Sequence, residues 1–466
     1  MNRNNFLPHV ALALVLILIA AFAGQIRQWQ KQWRAHHRSG PWIARPHVAP
    51  EPVVPGAEGR RPSRTDEFLV RFKAGTSEAN IQSIVSRLHD RVEDEIESVS
   101  GLEVIEDEDG KDVNTVVAEY LELPEVEYAE PIFEIKLDAK PVVPNDPRFG
   151  EQWALANDGQ RGGKEGADVS AMRAWAVTKG NDKVVVAVLD SGVDYTHRDL
   201  ASNIWTRPAA INEYQDRDLG EIDDVHGFNA IDDTGDPMDD NGHGTHCAGI
   251  IGAEGGNGDG IAGVNWTVQI MPLKFMDASG SGTTKDAIEA INYVINRRKA
   301  GVNVRIISAS WGSTQKSRAL EDAIRKAYDA GILFVAASGN SSADTDQNPH
   351  YPSSYNVGNI ISVAALDRND RLATFSNYGP KSVHIAAPGV EILSTWLDNE
   401  FKEASGTSMA TPMVAGVAAL VLSKNPSMSV DELRKLLLNS VDKLQVLKGK
   451  VVTGGRINAA KAVGAE

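Results

Sequence analysis

The stretch KVVVAVLD, residues 183–190, is an unbroken apolar run that ends on an aspartate. A strand with one wet face alternates apolar and polar residues, so a run without alternation reads as a strand buried on both faces. The same pattern recurs at VQIMPLKF (268–275), VRIISAS (304–310), ILFVAAS (332–338), NIISVAA (359–365) and VHIAAP (383–388). Helical patterns lie between these runs, among them TTKDAIEAINYVINRRKA (283–300) and SRALEDAIRKAYDA (317–330). SVDELRKLLLNS (429–440) opens with the capping-box pair Ser429 and Glu432. Strand–helix alternation predicts an α/β fold, a doubly wound parallel sheet with right-handed crossovers and helices on both faces. In such sheets function collects at the carboxyl ends of the strands, where Asp190 stands.

Upstream the pattern is different. EFLVRFK (67–73) alternates like a strand, and TSEANIQSIVSRLHD (76–90) carries Ile81, Ile84, Val85 and Leu88 on one helical face. GLEVIE (101–106), DVNTVVAEYLEL (112–123) and EVEYAEPIFEI (125–135) add a strand, a helix and a strand. The order β-α-β-(β)-α-β predicts a small α+β, ferredoxin-like domain over residues 66–138. KPVVPNDP (140–147) punctuates the boundary, and a catalytic domain is expected over 147–466. Residues 25–65 are rich in Pro, Arg and His and read as a linker. Residues 10–23, VALALVLILIAAFA, are short for a membrane span and suit a signal-peptide core, with Ala21-Phe22-Ala23 in small-x-small form. Residues 1–24 are therefore expected to export the chain, with a membrane tether through residues 8–24 as the alternative. The location expected is secreted or extracytoplasmic.

The chain has 466 residues, a net charge of −16 and one cysteine, Cys247. An intrachain disulfide is excluded, and the acidic balance argues against a nucleic-acid partner.

Three polar residues stand where helices or strands end. Asp190 closes its strand, His243 opens HGTHCAGIIG, and Ser408 lies in ASGTSMATPMVAGVAALVL (404–422). Asp, His and Ser in that chain order form one of the known orders of a serine-hydrolase triad. A serine hydroxyl is a poor nucleophile until a base takes its proton; imidazole is that base, and a buried carboxylate fixes its tautomer. Asn340, closing FVAASGN, is the candidate oxyanion donor, with the Ser408 N–H as the second. Pro412 is expected in the first turn of the helix that follows Ser408. A competing reading makes His243 and His246, with Asp239 and Asp240, a metal pair, although no H-E-x-x-H pattern is present.

VVAVLDSGVDYTHRDL, DDNGHGTHCAGIIG, AASGN and SGTSMATPMVAGVAAL together resemble the four signature blocks of the subtilisin-like serine proteases. The block ending in EVEYAEP resembles that family's propeptide, and PNDPRFGEQWAL resembles the entry to its mature domain. The resemblance implies a zymogen-type endopeptidase acting on proteins and peptides through an acyl-enzyme, with its own propeptide as chaperone and inhibitor, removed by self-cleavage between about Leu137 and Asp146. It implies that Ser310, Trp311 and Gly312 form one edge that pairs with extended substrate, that Gly280, Ser281 and Gly282 form the other, and that Gly339 lines the side-chain pocket. GGNGDGIAG (255–263) resembles a structural Ca2+ loop, implying Asp199 and Asn257 as ligands, backbone oxygens of Gly255, Asp259 and Ile261, and Gln152 as a further ligand. The aspartates of DDVHGFNAIDDTGDPMDDNG (223–242) are open to two readings, a second ion site or a solvated acidic insertion.

Overall fold

A computed structural model describes residues 67–96, 98–132 and 140–465. The expected signal peptide or anchor (1–24) and the linker (25–65) lie outside the described residues. The chain divides into two compact units, residues 1–134 and 135–466.

In the first unit, the strand Glu67–Phe72 alternates between half-buried and buried positions, as its sequence predicts. Its neighbours are Leu102–Asp107 and Val126–Pro131, both antiparallel, with Asp90–Glu95 on the outer edge. The helices Glu78–Arg87 and Val113–Leu121 start at Ser77 and Asp112, whose side chains accept from Asn80 and Asn114 backbone amides. Phe68, Val70, Ile84, Val85, Ile105 and Tyr120 make the core between sheet and helices.

In the second unit a nine-stranded sheet runs in the order Val441–Lys443, Gly455–Ile457, Ile385–Pro388, Ile360–Leu366, Leu333–Ala337, Val304–Ala309, Gly180–Asp190, Thr267–Lys274, Phe228–Asn229. All neighbouring pairs are parallel except the first. The unbroken apolar run is explained by two cores. Val184, Val186 and Val188 point to one side, against Cys247, Ala248, Met413 and Val417. Val185, Ala187 and Leu189 point to the other, against Ala287, Ile291, Leu320 and Ile324. A strand that serves both layers has no polar face to show.

The segment 140–146, which the sequence reading left between domains, is joined to the second unit. Val142 N donates to Met172 O (2.8 Å), and buried Asp146 accepts from Gly256 N (2.7 Å).

The helix Thr407–Lys424 is long and apolar enough to cross a membrane by composition, but 83 % of its apolar window is buried, and it forms the spine of one core. Small residues permit this depth: a Cβ on Gly416 would stand 2.7 Å from Val264 Cβ. Pro412 does not sit in the first turn as expected; the helix starts at Thr407, so Pro412 lies in the second. There it withholds the N–H that would bind the Ser408 carbonyl. That carbonyl is taken instead by Ser310 Oγ (2.8 Å) and Cys247 Sγ (3.5 Å). The proline thus ties the helix N-terminus sideways to two neighbouring elements.

Candidate active site

The strand Gly180–Asp190 brings Asp190 to the carboxyl edge of the sheet, 1 % exposed. The helix His243–Gly252 brings His243 alongside, and His243 Nδ1 lies 2.7 Å from Asp190 Oδ1. An acceptor there puts the proton on Nδ1 and leaves the Nε2 lone pair free. Burial alone would push this imidazole down, but the Asp190 charge and hydrogen bond, helped by Asp239, outweigh it and hold His243 above its ordinary value.

Asp239 secures this pairing, a role the sequence reading did not see. Its carboxylate accepts from Ser191 Oγ (2.8 Å), Asn241 N (2.9 Å), Gly242 N (3.0 Å), Thr245 N (3.0 Å) and Thr245 Oγ1 (2.6 Å). One buried side chain therefore caps the histidine helix and ties it to the residue after Asp190. The spacing of Asp239 before HGTH was the available signal.

Ser408 is the second residue of its helix and shares a cleft of about 350 Å³ with Asp190, His243 and Asn340. Its hydroxyl donates to the Ser310 carbonyl (3.0 Å). Asn340 Oδ1 accepts from Thr407 N and Thr407 Oγ1, both at 2.9 Å, which fixes the amide and leaves Nδ2 as the free donor beside Gly406. Ser310, Trp311, Gly312, Gly339 and Gly280 line the same cleft. Ser281 and Gly282 stand outside its lining, in an exposed turn where Ser281 O accepts from Asp277 N (2.9 Å). Thr407 and Asn241, which lie within the quoted blocks, line it too, as do Met276 and His350, which lie outside them.

His246 is committed elsewhere. Its Nε2 faces the carbonyls of Ile392 (3.1 Å) and Lys402 (2.9 Å), and burial pushes it down to about 4. Asp240 pairs with Lys274 Nζ at 2.6 Å. The metal pair of the competing reading is therefore not assembled. Asp190, His243 and buried Cys247 do present ligand atoms within 4.8 Å of one another, a donor set able to coordinate a metal. Burial raises the Cys247 thiol well above its ordinary value, which disfavours the thiolate such a bond needs.

Several aspartates of the acidic insertion are tied into the fold rather than merely solvated. Asp224, fully buried, accepts from Tyr293 Oη (2.7 Å), Arg297 Nη1 (3.2 Å) and Tyr214 N (3.0 Å), and Asp223 pairs with Arg207 (3.0 Å). Asp236 accepts from Tyr195 Oη (2.9 Å).

The loop 255–263 wraps around Asp199. Asp199 accepts from Asn257 Nδ2 and Ile261 N, both at 3.0 Å, and Gln152 is clamped to Ala262 through its Oε1 (2.9 Å) and Nε2 (2.7 Å). Asp259 turns its carboxylate outward to Arg198 (3.0 Å). Burial pushes Asp199 up to about 6, against the bonds from Ile261 and Asn257, and neighbouring Asp146 adds repulsion. Asp146 is likewise raised by burial, and its Oδ1 has no hydrogen-bond partner among the described residues. Two buried, mutually repelling carboxylates with an orphaned oxygen are what a hard cation would relieve.

Comparison with known proteins gives a consistent result. The profile of the Subtilase family matches residues 181–455, and that of the Fervidolysin N-terminal prodomain matches residues 52–131. A thermophilic serine proteinase of a Bacillus species is 37 % identical over 352 residues, covering 75 % of this chain and 76 % of that one. Thermitase of Thermoactinomyces vulgaris is 36 % identical, covering 69 % of this chain and 99 % of that protein. Among solved structures, a protease of Pseudoalteromonas arctica superposes with a TM-score of 0.56 at 28 % identity, over 69 % of this chain and 99 % of the other.

Proposed function

The chain belongs to the subtilase family and is a serine endopeptidase with an N-terminal prodomain, and on that premise we propose that Ser408 is its nucleophile, His243 its general base and Asp190 the carboxylate that orients the base. The observation that carries this reading is the 2.7 Å bond between His243 Nδ1 and buried Asp190, in the cleft that also holds Ser408. Ser408 Oγ turns from the Ser310 carbonyl to His243 Nε2, gives up its proton and attacks the peptide carbonyl carbon. The oxyanion is received by Asn340 Nδ2 and Ser408 N. His243 returns the proton to the leaving amine, and water then hydrolyses the acyl-enzyme by the same route in reverse. Ser310–Gly312 and the turn at Gly280 are the edges on which extended peptide pairs, with Ser281 and Gly282 supporting the turn.

The first unit is assigned as a ferredoxin-like propeptide that assists folding and inhibits. Its β-α-β-β-α-β order and antiparallel four-stranded sheet support that description. Self-cleavage is placed between about Leu137 and Asp146, and the burial of Asp146 in the second unit favours the early part of that window. Export through residues 1–24, with a tether through residues 8–24 as the alternative, makes the enzyme extracytoplasmic.

A structural Ca2+ is assigned to Asp199 and Asn257, with backbone oxygens of the loop 255–263 and Gln152. Asp146, which the sequence reading did not include, joins them as a ligand. When bound, the ion neutralises the two buried carboxylates and stiffens the loop.

The test is the Ser408→Ala chain. It should accumulate at full length when purified alone, whereas the unaltered chain loses its prodomain; maturation of the variant at the unaltered rate contradicts self-processing.

A further inference from the structure

Charge is divided unevenly along the chain. Residues 67–132 hold eighteen Asp and Glu against five Lys and Arg, whereas residues 25–65 hold eight Lys and Arg against two Glu. Three of those arginines, in RRPSR (60–64), come just before the strand Glu67–Phe72.

The acid of the first unit converges where the strands Asp90–Glu95 and Leu102–Asp107 pair. Glu95 and Glu103 stand directly opposite each other in that antiparallel register, and like charges so placed repel. Glu103 is 6 % exposed and has no hydrogen-bond or ion-pair partner among the described residues. Burial first, and then repulsion from Glu95, Glu78 and Asp94, holds its carboxyl above its ordinary value.

The unit's own cations do not relieve this. Arg91 pairs with Glu93, Glu106 and Glu108, Arg71 with Glu127, and Lys111 with Asp109 and Glu119. Lys73 donates to the Pro124 carbonyl, and Arg87 lies at the opposite end of its helix from Glu78. A buried carboxylate that faces three others is costly until a cation reaches it. A divalent ion is poorly served here. Among the described residues, three carboxylate, imidazole or thiol ligand atoms come within 4.8 Å of one another only at Asp190, His243 and Cys247. A guanidinium needs no such cage, because its planar fork takes two carboxylate oxygens at once.

The arginines are within reach. Glu67 is opposite Glu106 and Val70 is opposite Glu103, so the chain enters the sheet about 10 Å along the strands from Glu103. Arg61 precedes Glu67 by six residues, and a chain that extends by up to about 3.5 Å per residue can turn back over that distance. The prodomain profile spans residues 52–131, so it counts this segment with the domain.

We propose that the segment Arg60–Arg64 docks on the acidic face formed by Glu78, Asp94, Glu95 and Glu103, with its guanidinium groups on the Glu95–Glu103 pair. The segment is then a strap that completes the prodomain, not a spacer ahead of it. It holds down Asp90–Glu95, the edge strand that pairs on one side only.

The experiment follows amide hydrogen exchange of the strands Asp90–Glu95 and Leu102–Asp107 in the full Ser408→Ala chain. The readout involves no catalysis, so it stands whether or not Ser408 is the nucleophile. Replacing Arg60, Arg61 and Arg64 together by glutamine should speed exchange of both strands by about tenfold or more, the scale of one hydrogen bond between charged groups. In a chain already carrying Glu95→Gln and Glu103→Gln, the same replacement should change exchange by less than about twofold, because the arginines then have no charge to hold. Replacing Arg27, Arg34 and Arg38 instead should leave exchange within about twofold of the original. Exchange of Val304–Ala309 in the second unit reports that each variant is folded. An unchanged rate on removing Arg60, Arg61 and Arg64 overturns the proposal, and so does an equal acceleration in both backgrounds. Carbodiimide coupling of the Arg61→Lys chain locates the contact. The introduced amine should be joined to a carboxylate of this face, and coupling only to carboxylates outside it overturns the proposal.

Discussion

Asp90 in the first unit and Asp190 in the second are both buried carboxylates at strand ends, each with one oxygen that has no hydrogen-bond partner among the described residues. Asp90 accepts from Tyr120 Oη at 2.8 Å; Asp190 lies 2.7 Å from His243 Nδ1. The difference is in what faces them. A phenol cannot become a cation, and the residue paired across the sheet from Asp90 is another aspartate, Asp107. Burial pushes Asp90 up to about 6, the Tyr120 bond opposes it, the Asp107 charge adds to it, and Lys111 offsets only part. An imidazole can become a cation, so the same burial that makes Asp90 a liability lets Asp190 stabilise charge on its partner. The partner decides whether a buried carboxylate costs stability or supports chemistry.

Replacing each carboxylate by its amide separates the two roles. Asp190→Asn in the mature enzyme should lower kcat by about 10⁴-fold, because the amide can no longer fix the Nδ1–H tautomer. A loss under tenfold, measured by steady-state hydrolysis, breaks the comparison on the catalytic side.

The acidic pair Asp199 and Asp146 gives a third surrounding, one that a cation completes. In the Ser408→Ala chain, which cannot digest itself, chelation should lower the melting temperature of the second unit by about 5–10 °C, and added Ca2+ should restore it. The same melting temperature with chelator and with Ca2+ removes the ion from the account.

The smallest effect belongs to Asp90. Its folded value lies above the ordinary carboxylate range, so the stability it contributes is present at low pH and is lost as the pH rises through about 6. On the order of 1 kcal/mol of prodomain stability should disappear between pH 5 and pH 8. Amide hydrogen exchange over Glu67–Phe72 in the Ser408→Ala chain should be slower at pH 5 than at pH 8, after correction for intrinsic rates. Asp90→Asn should abolish that difference; equal protection at both pH values in the unaltered chain contradicts it.

The elements that were legible in the sequence are those whose surroundings repeat along the chain. The apolar strands announced burial on both faces, and Asp190, His243, Ser408 and Asn340 sit at the ends of elements that local pattern alone delimits. What was missed depends on pairings distant in sequence. His350 reaches the cleft because Tyr351 pairs with Ser313, and Asp146 reaches Asp199 because Gly256 binds it. The misplaced Pro412 has a local cause: the polar letters of GTS read as a loop before the helix, whereas Thr407 and Ser408 are already helical.

The central claim is that Ser408 is made nucleophilic by His243. A fluorophosphonate probe followed by peptide mass mapping tests it directly. The unaltered mature enzyme should carry one adduct, on Ser408, and the labelling rate should fall by three orders of magnitude or more in His243→Ala. An adduct on another residue, or equal labelling of Ser408 in His243→Ala, would contradict the account.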